Sequence, residues 1–161
     1  MTFKRRILPW LVVGLVGAAL TAIALGHAGS INPEHKFSPI PFITYGKLIA
    51  CLICGCEAAP TALRLLVIDG LGNIVVFIPL GWVLYVALRH SDHRPHKRIL
   101  LVGLLGAGVS LVYEIIQIWI PGRVVATDDI ITNTLGALLG AWLGRRGLLL
   151  WREHRPVRGN T

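Results

Sequence analysis

Charge is scarce in this sequence. Only 15% of its 161 residues are Asp, Glu, Lys or Arg, while 54% are hydrophobic. A soluble domain of this length needs a larger polar share to cover its surface, so that class is excluded. Catalytic pairs are missing too. No Ser, Cys or His falls in the two stretches where polar groups interrupt apolar ones, Gly72–Gly81 and Glu114–Gly140, which removes a Ser–His or Cys–His arrangement from them. Cysteine is limited to Cys51, Cys54 and Cys56. Their spacing combines C-x-x-C with C-x-C, but a closed metal site needs a fourth ligand and none is near. What is left is a Cys51–Cys54 disulfide or unpaired thiols packed on apolar neighbours.

What the sequence has is long apolar runs. A hydrocarbon core of about 30 Å takes roughly 20 helical residues, and four stretches reach or approach that length: Ile7–His27, Gly70–Leu88, Ile99–Ile120 and Ile130–Trp151. The expected fold is therefore all-α, an integral membrane bundle of about four transmembrane helices. Lys4, Arg5 and Arg6 precede the first run, as in a signal peptide, but the run is longer than a signal core and reads as a retained helix. The formal charge of +8 is topological rather than a nucleic-acid signal. With the N-terminus in the cytoplasm, the loop RHSDHRPHKR and the tail after Arg145 are also inside. Twelve Lys and Arg then lie inside and only Lys36, Lys47, Arg64 and Arg123 outside. The expected setting is the cytoplasmic membrane, with a multi-pass chain and both termini cytoplasmic. His90, His93 and His96 are spaced as metal ligands can be, but in that Arg- and Pro-rich loop they read as solvated, as does His35.

Residues 28–69 fit no span. The apolar run LIACLICGC is short, with Lys47 before it and Glu57, Pro60 and Arg64 after it. A crossing there would bury those groups and turn the basic loop and tail outward. An interfacial or re-entrant outer segment is expected instead. Lys47 also argues against reading LIAC as a lipoprotein cleavage box.

The polar groups at membrane depth gather in the outer half. Glu114 and Gln117 stand at i and i+3 near the end of the third run, on one helix face. Asp129 and Asn133 stand at i and i+4 at the start of the fourth. The loop between, PGRVVATDD, holds Arg123 and Asp128, and Asn73 lies one turn into the second run. The inner halves are almost wholly apolar, which suits a site open to the outer face and not a transport pathway. Gly136, Gly140 and Gly144 repeat every fourth residue, the spacing for close helix packing. Pro79 should kink the second helix. GLGN at Gly70 has no preceding strand, so a phosphate-loop reading fails.

Three blocks, PIPFITY (Pro39–Tyr45), GNIVVFIPLG (Gly72–Gly81) and EIIQIWIPGRVVATDDIITNTLGALLG (Glu114–Gly140), make the sequence resemble the VanZ-like membrane proteins. The likeness spans about residues 39–144 within a single domain of 1–161, with a basic tail over 145–161. It implies a role at the cell envelope, with lowered sensitivity to lipoglycopeptides such as teicoplanin in some members. One position departs from the pattern: where members often carry an acidic residue three positions after the arginine, this chain has Ala126.

Three readings of the polar cluster stay open. It is structural, with Arg123 paired to Asp128 or Asp129 and Glu114 bonded to Gln117 and Asn133. It binds the headgroup of an envelope lipid or cell-wall precursor, with Arg123 clamping a phosphate or carboxylate and Asn73, Glu114 and Asn133 bonding sugar or peptide groups. Or it is catalytic, with Glu114 or Asp129 as candidate acid–base groups and a divalent cation on Asp128 and Asp129. Beyond the bilayer and such a headgroup no partner is implied, and the sequence sets no oligomeric state.

Overall fold

The structure, a computed structural model, describes residues 10–19, 37–38, 41–57, 59–90, 94–120 and 125–153. Six helices run in chain order: α1 (Trp10–Ala19), α2 (Ile43–Cys54), α3 (Ala59–Leu65), α4 (Gly72–Ala87), α5 (Pro95–Gln117) and α6 (Thr127–Glu153). Two short strands, β1 (Phe37–Ser38) and β2 (Val125–Ala126), pair in parallel and join Phe37 to Val125 and Ser38 to Ala126. Otherwise the described chain is helical.

α5 begins where the sequence allows it. Pro95 occupies its first turn, where a missing N–H costs nothing. α5 is long and apolar enough to cross a membrane, while Trp10–Ala19, Tyr45–Cys54 and Gly72–Ala87 are shorter apolar helices. It ends at Gln117, three residues before the expected Ile120, in a run of turns closed by i to i+3 bonds such as Ile120 N–H to Gln117 O at 3.0 Å. α6 continues past Arg145 and Arg146 to Glu153. Of the first apolar run only Trp10–Ala19 is described, and the rest of Ile7–His27 lies outside the described residues.

α2 and α3 form a helical hairpin. α2 ends at Gly55, whose φ of 67° is open to glycine at little cost, and the Gly55 N–H bonds Cys51 O. The reversal also brings the Cys56 N–H to 3.1 Å from Cys51 O. Cys51 and Cys56 are disulfide-bonded, with Cα atoms 5.2 Å apart, and Cys54 is free and exposed. This corrects the Cys51–Cys54 pairing: the turn at Gly55, invisible to a spacing argument, carries Cys56 back over Cys51. From Ala59 the helical path is unbroken. α3 passes through a π-helical turn (Leu66–Leu71) into α4, so the second helix does not begin at Gly70. α4 also runs through Pro79 without leaving the helix, although Pro79 denies an N–H to the carbonyl of Val75.

α6 lies between α4 and α5 and packs most extensively on α4. The contact is backbone to backbone. A methyl group at Gly136 would overlap the Ile74 carbonyl oxygen, one at Gly140 the Ile78 carbonyl oxygen, and one at Gly81 the Ala137 carbonyl oxygen. At Gly144 it would meet Trp82 Cδ1 at 2.8 Å. This order makes α4 and α6 parallel. α5 runs antiparallel to both, with Gly103 against Leu138 and Gly106 against Ala137. Phe77, Leu80, Leu84 and Tyr85 of α4, Val102 of α5 and Ala141 of α6 close the core.

Two outcomes follow from this packing. Gly140→Ala should lower the melting temperature in detergent, because overpacking a tight contact costs about 1–3 kcal/mol. Gly147→Ala, where the added methyl meets nothing within 4 Å, should not; equal losses would contradict the close seam. In the folded, unreduced protein a maleimide should label Cys54 alone, and all three cysteines should react after reduction and unfolding.

Candidate functional site

The buried face of α5 reads Gly103, Gly106, Ser110, Glu114, Gln117, with steps of three, four, four and three residues. Small groups occupy its deep end and polar groups its upper end, so α6 comes close below and meets polar partners above. Ser110 is fully buried, and Glu114 is 3% exposed. Ser110 Oγ donates to the Asp129 carbonyl oxygen at 3.5 Å and accepts from Asn133 Nδ2 at 2.8 Å. Asn133 is therefore joined to Ser110 and not to Glu114, one turn nearer the helix end.

Glu114 turns to the strand before α6. Its Oε2 accepts the Ala126 N–H at 3.0 Å. Asp128 is 4% exposed and accepts the Phe42 N–H at 2.5 Å. Phe42 sits at φ 63°, a left-handed conformation uncommon for a non-glycine residue, in the turn that starts α2. Asp129 faces α4 instead, and its Oδ1 accepts Asn73 Nδ2 at 2.9 Å. Both aspartates lie in the first turn of α6, where the positive end of the helix dipole favours carboxylates. Thr132, 6% exposed, returns its hydroxyl to the Asp128 carbonyl at 2.9 Å.

Buried Glu114, Gln117, Asp128 and Asn133, with half-buried Asn73 and Asp129, thus form one layer at one end of the α4–α5–α6 bundle. The layer links PIPFITY through Phe42, GNIVVFIPLG through Asn73, and the long block through the rest. Arg123 lies outside the described residues. Asp128 and Asp129 engage different elements, and no group of three or more potential metal ligands gathers among the described residues. Among the described residues Ser110 bonds only the Asp129 carbonyl and the Asn133 amide, neither of them a base. Asn133 Oδ1 is buried without a hydrogen-bond partner among the described residues.

A cleft of about 260 Å³ opens beside the layer. Glu114 forms part of its wall; the remainder includes Leu111, Ile115, Ile118, Val125 and Ile130. Leu111, Ile115 and Ile118 are also exposed on the flank of α5, so the cleft opens sideways. A larger hollow of about 420 Å³ along α5 is apolar apart from Tyr113, whose hydroxyl donates to the Gly17 carbonyl of α1 at 3.1 Å.

The three blocks that meet here fall within residues 11–150, and that span matches the VanZ/LLP1 family. The chain belongs to the VanZ/LLP1 family. It is accordingly a helical membrane protein, and α5 is long and apolar enough to cross a bilayer. No curated protein and no solved structure matches the chain. In this VanZ/LLP1 chain the sequence pattern missed Ser110 and Thr132. Ser110 was open to detection, because it lies one turn below Glu114 on the same face. Thr132 carried no distinguishing spacing.

Asn73→Ala and Asp129→Ala should each lower stability in detergent, by about 1 kcal/mol for a hydrogen bond between membrane helices. The double variant should lose little more than the worse single one, and fully additive losses would contradict the pairing.

Proposed function

We propose that the polar layer faces outward and holds the headgroup of an envelope amphiphile, a lipid or a lipid-linked cell-wall precursor. The observation that carries this reading is the position of Glu114. It is a buried carboxylate set, with Thr127, in the wall of a largely apolar cleft that opens on the flank of a membrane-length helix. Such a cleft suits a molecule with a polar head beside Glu114 and a hydrocarbon part along Leu111, Ile115 and Ile118. Arg123 is the cation for a phosphate or carboxylate.

The other polar groups maintain the layer. Asp128 and Asp129 hold Phe42 and Asn73, which supports a structural role for these two and separates them from Glu114. We assign the layer to the outer face on two grounds. Twelve Lys and Arg lie on the other side of the spans, against four. The Cys51–Cys56 disulfide belongs in an oxidising compartment, and it closes the far end of α2, the helix whose first turn is tied to Asp128. Four membrane crossings, formed by α1 with its flanks, α4, α5 and α6, complete this topology and leave both termini in the cytoplasm. Sequestering or screening an envelope headgroup would lower sensitivity to lipoglycopeptides such as teicoplanin, which is the activity we assign.

The test is teicoplanin susceptibility of a sensitive bacterial host carrying empty vector, wild type, Glu114→Gln, Arg123→Lys or Ile130→Trp at matched membrane levels. Gln keeps an acceptor for the Ala126 N–H, so the tie survives while the charge is lost. Wild type should protect, and each variant should lose most of that protection with its melting temperature kept. Parallel loss of abundance and protection would return Glu114 to a purely structural role. In a Cys54→Ser background, cysteines placed at Arg123 and His93 should label from opposite faces; labelling from the same face would overturn the topology.

A further inference from the structure

We propose, resting on the headgroup reading of Glu114, that its cleft continues inward as a groove for one acyl chain, so that the ligand is an outer-leaflet phospholipid with chains of ordinary membrane length. Leu111 and Ile115 line the cleft, and Leu104 and Gly108 line the larger hollow of about 420 Å³. All four are exposed, and steps of four, three and four residues place them on one face of α5. The hollow therefore continues the cleft inward. Gly108 gives it depth. Gly103 and Gly106 are packed against α6, but a methyl group added at Gly108 would meet nothing within 4 Å. Its missing side chain leaves a dip in a row of larger apolar groups. Tyr113 also lines the hollow and is tied to α1 through the Gly17 carbonyl.

The lining, length and direction of the groove all suit an acyl chain. Among the described residues that line the hollow only Tyr113 has a polar side chain, so water gains too few partners to fill it. Hydrocarbon fills it without loss, since lipid tails are as apolar as leucine. From Glu114 to Leu104 is ten residues, about 15 Å at 1.5 Å per residue, which is half of a hydrocarbon core of about 30 Å. The groove thus covers one leaflet, the depth that a chain occupies from headgroup to midplane. The carboxylate lies at its outer end and the apolar floor runs inward, which is the orientation of an outer-leaflet lipid. A helix from a second copy would need no carboxylate at the upper end.

The full chain is reconstituted in vesicles of equal parts dipalmitoyl- and didecanoyl-phosphatidylglycerol and taken up in mild detergent, and retained lipids are counted by native mass spectrometry. The two lipids share a headgroup, whose phosphate suits Arg123 and whose hydroxyls suit Glu114, but decanoyl chains end short of Leu104. Wild type should keep the dipalmitoyl lipid in several-fold excess. Gly108→Phe, which fills the hollow, should bring the two lipids level at an unchanged melting temperature, and Gly108→Leu is the milder filler that covers the case in which the ring disturbs α1. Gly147→Phe, the same change at an open glycine of α6, should keep the excess. Glu114→Gln should lower retention of both lipids. Loss with Glu114→Gln but no preference for chain length, or a preference that both Gly108 variants leave intact, would overturn the chain path and keep the headgroup reading. Loss with Gly108→Phe that Glu114→Gln does not share would mean a chain or a second copy seated without Glu114, and would overturn the joined site. No lipid retained by wild type would overturn a phospholipid as the occupant, while teicoplanin susceptibility still decides the headgroup reading.

Discussion

The contact between the α4 and α6 backbones governs the rest of this molecule. Gly136 and Gly140 give α6 no side chain where the carbonyls of Ile74 and Ile78 approach, and Gly81 does the same for α4 at Ala137. In a bilayer apolar side chains gain nothing by leaving lipid for protein, so association rests on close packing and on polar bonds. The glycine seam supplies the first and fixes where the second can form. It brings the N-terminal ends of α4 and α6 to one level, and only then do Asn73 and Asp129 lie within hydrogen-bond reach.

The layer above the seam has two kinds of member. Asp128 and Glu114 accept main-chain N–H groups of residues in or beside the extended crossings, Phe42 and Ala126, which helical bonding leaves unsatisfied. Backbone groups at membrane depth need such partners, and a carboxylate is a strong acceptor for them. Asn73, Ser110 and Asn133 join helix to helix. Glu114 belongs to both the layer and the cleft, because its carboxylate ties β2 while its side chain borders the apolar opening. A family defined by three separated blocks makes physical sense here: each block contributes a partner to the same small volume.

Much of this was legible in the sequence, and the rest was not for identifiable reasons. Apolar run length pointed to α5 and α6, and the four-residue glycine spacing marked the face that meets α4, because both depend on local periodicity. The collection of Asn73, Glu114, Gln117, Asp128, Asp129 and Asn133 at one end was legible because intramembrane polar groups avoid lipid. Their individual bonds were not. Glu114 was matched to Gln117 and Asn133 as the nearest side chains, whereas its Oε2 takes a backbone N–H, and every residue but proline offers one. Asn133 was assigned without Ser110, a residue small enough to pass for packing. The cysteine pairing turned on one left-handed residue, Gly55, that no spacing rule weighs. The unbroken path from α3 into α4 was hidden because Pro60, Arg64 and Asp69 look like a boundary.

The polar bonds also resolve an ambiguity that the glycines create. Gly136, Gly140 and Gly144 are nearly periodic, so α6 displaced by four residues along α4, about 6 Å at 1.5 Å per residue, would still present glycine to carbonyl over most of the seam. Packing alone scarcely distinguishes these registers. The same displacement would bring Asn133 or Val125 to the level of Asp129, part Asn73 from its carboxylate and leave Ser110 facing Ala137 or a carboxylate in place of Asn133. Losing the Asn73–Asp129 and Ser110–Asn133 bonds strands polar groups at the helix contact, a cost comparable to the packing gain itself. A single buried polar position can set register in a coiled coil, and Asn73–Asp129 together with Ser110–Asn133 acts in that way here from two sides of α6. Register in turn sets the height of Glu114 against Ile130, and so whether the carboxylate stands in the wall of the cleft or below it.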